Sequence, residues 1–103
     1  MNETEFRVID AMDAPYRGQI LRLRITEGDP PSIKSLKKAT LVARAPDGRE
    51  VTLRVFGFPH AGGKPSDRRF RRTGRIDLLV EAEEDGGPRV SRQWTVMGVP
   101  SRN

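Results

Sequence analysis

The chain has 103 residues, a length that allows a single domain. Hydrophobic residues make up 35% of the chain and charged residues 32%. This balance is polar for a globular domain but too rich in Leu, Val, Ile and Phe for a disordered segment. There is no cysteine and one histidine. Disulfides, thiol catalysis, Cys-ligated metal sites and His-pair metal sites are therefore excluded.

Positive charge is concentrated in the middle of the chain. The net charge is +5, with 19 basic and 14 acidic residues. Residues 34–75 contain twelve basic and three acidic residues, whereas the segments on either side are net negative. A local excess of this kind favours a polyanionic or acidic partner.

The sequence also predicts a location. No apolar stretch is long enough for a membrane-spanning helix, and residues 1–5 are polar and acidic, without the apolar core of a secretory signal. We therefore expect a cytoplasmic protein without membrane contact.

Apolar and polar residues alternate with a period of two, which predicts β-strands. In chain order the predicted strands cover residues 18–25, 39–45, 50–56, 76–81 and 90–97. The residues expected to face the core are Leu21, Leu23, Ile25, Ala39, Leu41, Ala43, Ala45, Val51, Leu53, Val55, Ile76, Leu78, Val80, Val90, Trp94 and Val96.

Turn-forming residues separate these strands. Pro46-Asp47-Gly48 predicts a tight hairpin between the second and third strands. No segment supports a helix of ten residues, and a single helical turn is expected near 33–38 or 65–70. Residues 5–9 are predicted to form a short edge strand or arm.

These elements predict an all-β domain of five strands closed into a small barrel, because closure removes exposed sheet edges. An SH3-like barrel and a small β-sandwich are the alternatives. The predicted boundaries are an arm at 1–15, the barrel domain at 16–98 and a tail at 99–103.

The order of strands and turns resembles the OB fold, a five-stranded Greek-key barrel. The similarity covers roughly residues 16–98 and rests on the first strand with Gly18, the hairpin that begins at Asp47-Gly48 and ends at Phe56-Gly57, and Gly74-Arg75-Ile76. This pattern looks like the OB modules of nucleic-acid-processing proteins, such as the wedge domain of branch-migration helicases. The resemblance implies a binding module rather than an enzyme. The sequence departs from that pattern between strands three and four, where no clear amphipathic helix is found.

Residues for catalysis are not found at a usable spacing. The acidic residues lie in tails and turns, as in the cluster at 81–85, and His60 lies in a Gly/Pro-rich loop without an evident partner. Gly62-Gly63-Lys64 lacks the remaining parts of a phosphate-binding loop. We therefore expect no catalytic residue, no metal and no cofactor.

Two groups of basic residues are candidates for binding nucleic acid. Residues 67–75 contain five arginines around Phe70, and the outer face of the second and third strands carries arginines beside Phe56. Arginine binds phosphates with two parallel hydrogen bonds, and an aromatic ring offers a stacking surface for a base. The predicted contact residues are Arg22, Arg24, Lys37, Lys38, Arg44, Arg54, Phe56, Arg68, Arg69, Phe70, Arg71 and Arg72.

The sequence thus predicts a non-catalytic barrel that binds single-stranded nucleic acid through a basic face. The alternative is a protein-interaction or assembly module, in which an acidic protein or a second copy of the chain contacts an edge strand or the basic face. Phe70 is equally expected to lie in the core, and Phe56 and Phe58 to cover an open end of the barrel.

Overall fold

The computed structural model describes residues 3–15, 17–59, 64–84 and 87–98. These residues form six strands and two short helices. The elements are β1 (Glu5–Asp13), β2 (Gln19–Glu27), α1 (Ile33–Leu36), β3 (Thr40–Arg44), β4 (Glu50–Gly57), α2 (Asp67–Thr73), β5 (Arg75–Ala82) and β6 (Thr95–Met97).

The strands form one antiparallel sheet that closes into a ring. Its hydrogen-bonded order is β1-β2-β5-β4-β3-β6, and β6 pairs with β1 to close it. The ring is uneven because β6 has only three residues, whereas β1 and β2 have nine each. The predicted small, mostly-β, ring-closed domain is confirmed. The predicted count of five strands is wrong, because the ring has six. What the structure shares with the predicted OB fold is a small antiparallel sheet that closes into a ring.

The additional strand is β1, from the segment that the sequence placed in an arm or at an edge. It has neighbours on both sides, β2 and β6. Phe6 and Val8 face the core, but a register shift between Val8 and Asp10 interrupts the alternation. A β-bulge of this kind changes the phase of inward and outward residues, which conceals a strand from a period-two pattern.

The predicted core is largely confirmed. The inward residues of β2 to β5 are buried with Phe6 and Val8 in one cluster, and Ile25 and Ala39 pack against it half-buried. Val90 and Trp94 are buried although they precede the short strand β6. The predicted hairpin joins β3 to β4, with Gly48 at a φ of 95°, which favours glycine.

Helices form at both places where a single turn was expected, near 33–38 or 65–70, and α2 with its seven residues is longer than one turn. Each helix is held by one buried side chain. Leu36 anchors α1 and Phe70 anchors α2. Ser66 caps α2 by accepting a hydrogen bond from the Arg69 N–H at 3.1 Å, and Gly74 ends it in the left-handed conformation. Asp67 Oδ1 accepts from the Ile33 N–H at 2.7 Å, so the two helices begin beside each other.

Candidate functional site

The outer face of β3 and β4, where the sequence placed the binding surface, carries arginines that are paired with acids. Arg44 Nη2 lies 2.6 Å from Glu50 Oε2, and Arg54 Nη2 lies 3.9 Å from Glu81 Oε1. The arginines of both pairs are largely exposed, so the pairs add little to stability. Their effect on this face is to neutralise the positive charge that the sequence pattern suggests.

Phe56 does not present a free ring on this face. The guanidinium carbon of Arg17 lies 4.6 Å from the centre of the Phe56 ring, within cation–π distance. Arg17 Nε also lies 3.4 Å from Glu81 Oε2. A base that stacked on this side of Phe56 would have to displace Arg17 from both contacts.

Arg22 on β2 is likewise paired with acids. Its Nε donates to Asp77 Oδ1 at 3.1 Å, and its register partners are Asp10 on β1 and Asp77 on β5. The hydrogen bond to Asp77 and the charge of that carboxylate raise the pKa of Arg22. Across β1, β2 and β5, the residues in register at this level are therefore an aspartate, an arginine and an aspartate.

The neighbouring row on the same three strands consists of arginines alone. Arg7 on β1 pairs in register with Arg24 on β2, and Arg24 pairs in register with Arg75 on β5. We call these three residues the arginine row. Among the described residues, no carboxylate lies within ion-pair distance of their side chains. Like charges directly opposite each other destabilise a sheet, so the row has a cost that no carboxylate among the described residues offsets.

Only Arg24 of the row belongs to the predicted contact set. Arg7 is absent from that set because it lies in the segment predicted to be an edge strand or arm. Arg75 belongs to the arginine-rich segment 67–75, but it is not in the predicted contact set, and its register with Arg24 cannot be read from the sequence. A period-two pattern places Arg7 or Arg75 on an outer face once the strand is recognised, but it does not identify the neighbouring strand.

The arginines of α2 lie beside the arginine row. The Ile25 N–H, next to Arg24, donates to the Gly74 carbonyl at 2.8 Å, so β2 contacts the end of α2. Arg68, Arg71 and Arg72 are exposed, and no acid within the described residues pairs with them. Arg69 is also exposed and lines the cleft described below.

Phe70, predicted as a contact residue, lies in the core. Its exposed fraction is 2%, and its ring stacks on Phe6 with centres 6.3 Å apart and planes 13° from parallel. A ring this buried offers no stacking surface to a base, and Phe70 takes the core position that was expected as the alternative. Its role is to fix α2 to the barrel, which holds the flanking arginines at the surface.

Lys37 and Lys38 are exposed, on the segment between α1 and β3. These two residues are not in a strand, so no strand pairing places them beside the arginine row. His60, Gly62 and Gly63 lie outside the described residues, as does the tail predicted at 99–103.

A cleft of about 330 Å³ lies between the outer side of β2 and β5, the helix α2 and the residues around Phe58. Its lining combines apolar and charged groups. The apolar residues are Ile33, Phe58, Pro59, Pro65, Phe70 and Ile76, and the charged residues are Arg22, Lys64, Arg69, Arg75 and Asp77. Arg75 belongs to both the cleft and the arginine row, so the two features form one continuous surface, which we call the α2 surface.

The fold and this surface define a small, ring-closed β-domain with one strongly cationic face. A comparison of the chain with protein-family models, with curated proteins and with solved structures finds no match. None of the helices in the described part of the chain is long and apolar enough to cross a membrane.

Proposed function

We propose that this chain is a non-catalytic β-domain that binds single-stranded nucleic acid through the α2 surface. The observation that carries the proposal is the arginine row. Arg7, Arg24 and Arg75 occupy directly opposed positions on three adjacent strands, and no acid among the described residues pairs with them. A chain of phosphates supplies the opposite charge that this row lacks.

The chemistry of arginine favours phosphate as the anion. A guanidinium binds a phosphate with two parallel hydrogen bonds and stays charged at any physiological pH. Adjacent strands lie about 4.8 Å apart, so the row spans roughly 10 Å, enough for more than one phosphate of a strand. The exposed Arg68, Arg71 and Arg72 on α2 extend the cationic surface beyond the sheet.

The shape of the surface favours a single strand over a duplex. Reading a duplex groove needs an element that enters the groove, such as a projecting helix or ribbon. The helix α2 has seven residues and is fixed to the core through Phe70, so it lies against the barrel. OB-type modules bind single strands across the outside of a small barrel. We propose that this chain does the same with β1, β2 and β5 instead of β3 and β4.

Fluorescence anisotropy with labelled single-stranded DNA and RNA of about 16 nucleotides tests the proposal. The protein is titrated at about 50 mM and about 200 mM salt, because phosphate contacts release counterions and weaken as salt rises. Two variants that each remove three charges are compared with the native chain. The first is Arg7→Gln/Arg24→Gln/Arg75→Gln. The second replaces the acid-paired Arg44, Arg54 and Arg89 by Gln, whose partners are Glu50, Glu81 and Asp13.

The proposal predicts salt-sensitive binding by the native chain and a loss on the order of 100-fold in the first variant, since each charge-assisted contact contributes on the order of 1 kcal/mol. The second variant should stay within about 5-fold of the native chain, a change due to net charge alone. No binding at low salt contradicts the proposal and favours the alternative, an acidic protein or a second copy as partner. Equal losses in the two variants contradict the assignment to the arginine row.

A further inference from the structure

The α2 surface contains two chemically different parts. The arginine row lies on the open sheet and offers only charge. The cleft beside it has an apolar lining in addition to its cations, and its volume of about 330 Å³ is within the range of small-molecule sites. A ligand made only of phosphates would contact the arginine row and leave the cleft empty.

The composition of the cleft lining indicates what it accepts. Phe70 and Ile76 are buried and Ile33 and Phe58 are half-buried, so the apolar groups lie deep, whereas Lys64, Arg69 and Arg75 are exposed. Asp77 adds one acceptor of hydrogen bonds, with Arg22 held against it at 3.1 Å. A ligand with a flat apolar ring, N–H donors on its edge and an attached anion matches these groups.

We infer that the cleft accepts one base of a strand whose phosphates lie along the arginine row. This inference rests on the proposed function and adds the part of the ligand that the cleft binds. Arg75 connects the two parts, because it lies at the end of the row and also lines the cleft. Phe58 supplies the aromatic surface for the base, since Phe70 is buried under α2 and Phe56 is covered by Arg17.

An oligonucleotide without bases tests this inference separately from the proposed function. Single-stranded DNA and an abasic strand of equal length carry the same phosphates, so their affinities differ only through the bases. The native chain is compared with Phe58→Leu, which keeps an apolar side chain against the core but removes the aromatic ring. Phe56→Leu is the matched control, because Phe56 is half-buried like Phe58 but lies under Arg17 and away from the cleft.

The inference predicts that the native chain binds the strand with bases at least about 5-fold more tightly than the abasic strand, the lower end of stacking on an aromatic residue. Phe58→Leu should lose most of this difference and leave the affinity for the abasic strand unchanged. Phe56→Leu should keep the difference.

Equal affinity of the native chain for both strands would overturn the inference and leave the proposed function in place. A base preference that persists in Phe58→Leu would overturn the assignment to the cleft. Failure of either strand to bind would overturn the inference together with the proposed function. Circular dichroism of each variant is measured before the affinities are compared, to show that the β-sheet is folded.

Discussion

The two sides of the ring use the same residue type in opposite ways. On the side formed by β3 and β4, arginines are held against carboxylates, as in Arg44 with Glu50 and Arg54 with Glu81. On the side formed by β1, β2 and β5, Arg22 is also paired with Asp77, but the row of Arg7, Arg24 and Arg75 has no acid partner among the described residues. The two groups of arginines therefore differ in their acid partners and not in residue type.

The positive charge of the arginine row is more readily available to an external phosphate than that of the acid-paired arginines. An arginine paired with an acid gives up that contact to bind an external phosphate, so part of the gain is lost. An arginine opposed by other arginines gives up no ion pair and relieves a repulsion when an anion binds. Four predictions test this comparison.

The largest expected effect concerns Phe70, which fixes α2 beside the arginine row. Its side chain is 2% exposed and stacks on Phe6. Phe70→Ala should lower the free energy of unfolding by about 3–5 kcal/mol, measured by urea denaturation. Met12→Ala is the control, because Met12 is 45% exposed. A loss below about 1 kcal/mol in Phe70→Ala would mean that α2 is not held by this contact.

The second prediction concerns the arginines of α2 that have no acid partner within the described residues. Replacing Arg68, Arg71 and Arg72 by Gln should reduce the salt dependence of strand binding, with the slope of log K against log salt falling by about 2, since each phosphate contact to a single strand contributes about 0.7. The measurement is anisotropy over a series of salt concentrations. An unchanged slope would remove α2 from the interface and leave the sheet alone.

The third prediction is that replacing an arginine by glutamate changes the free energy of unfolding in opposite directions on the two sides. Arg24→Glu places an acid between Arg7 and Arg75 and should stabilise the fold by about 0.5–1 kcal/mol at low salt. Arg54→Glu places an acid opposite Glu81 and should destabilise it. Urea denaturation of both variants measures the difference. Two changes of the same sign would contradict the distinction between paired and unpaired arginines.

The smallest expected effect is in the β3–β4 hairpin. The backbone N–H of Arg49 and then its side chain donate hydrogen bonds to the Asp47 carboxylate and lower the pKa of Asp47. Because the folded value lies below the unfolded one, this contribution to stability is present above the unfolded pKa and is lost as pH falls through the folded value.

An NMR titration of the Asp47 carboxyl group measures this shift. In Arg49→Gln a neutral amide replaces the charged guanidinium donor, so the midpoint should move upward, toward the ordinary aspartate value. Asp47 lies in the β3–β4 hairpin and not in the arginine row, so strand binding should not follow the Asp47 titration. A midpoint unaffected by Arg49→Gln would show that the side chain of Arg49 does not act on this carboxyl group.

Much of the fold could be predicted from the sequence because alternation reports which side chains face inward. Leu21 and Leu23 on β2, or Leu78 and Val80 on β5, follow this rule and are buried. The strand β1 was predicted only as a short edge strand or arm at residues 5–9, because the bulge after Val8 breaks its alternation. Its recovery changes the ring from five strands to six and brings Arg7 beside Arg24.

The candidate site was less predictable than the fold. Arg24 and the arginines of α2 were found from local charge, which the sequence displays directly. The register that aligns Arg7, Arg24 and Arg75 depends on pairing between strands far apart in the chain, which a single sequence does not specify. The burial of Phe70 depends on how α2 packs, and the covering of Phe56 depends on Arg17, which comes from another turn.

The most direct measurement is an NMR titration that follows the arginine Nε–H signals while single-stranded DNA is added. It observes each guanidinium separately and needs no substitution in the site. We expect the Nε–H signals of Arg7, Arg24 and Arg75 to shift. The signals of Arg44 and Arg54 should change little, because these residues remain bound to Glu50 and Glu81. Shifts confined to Arg44 and Arg54, with the arginine row unaffected, would contradict it.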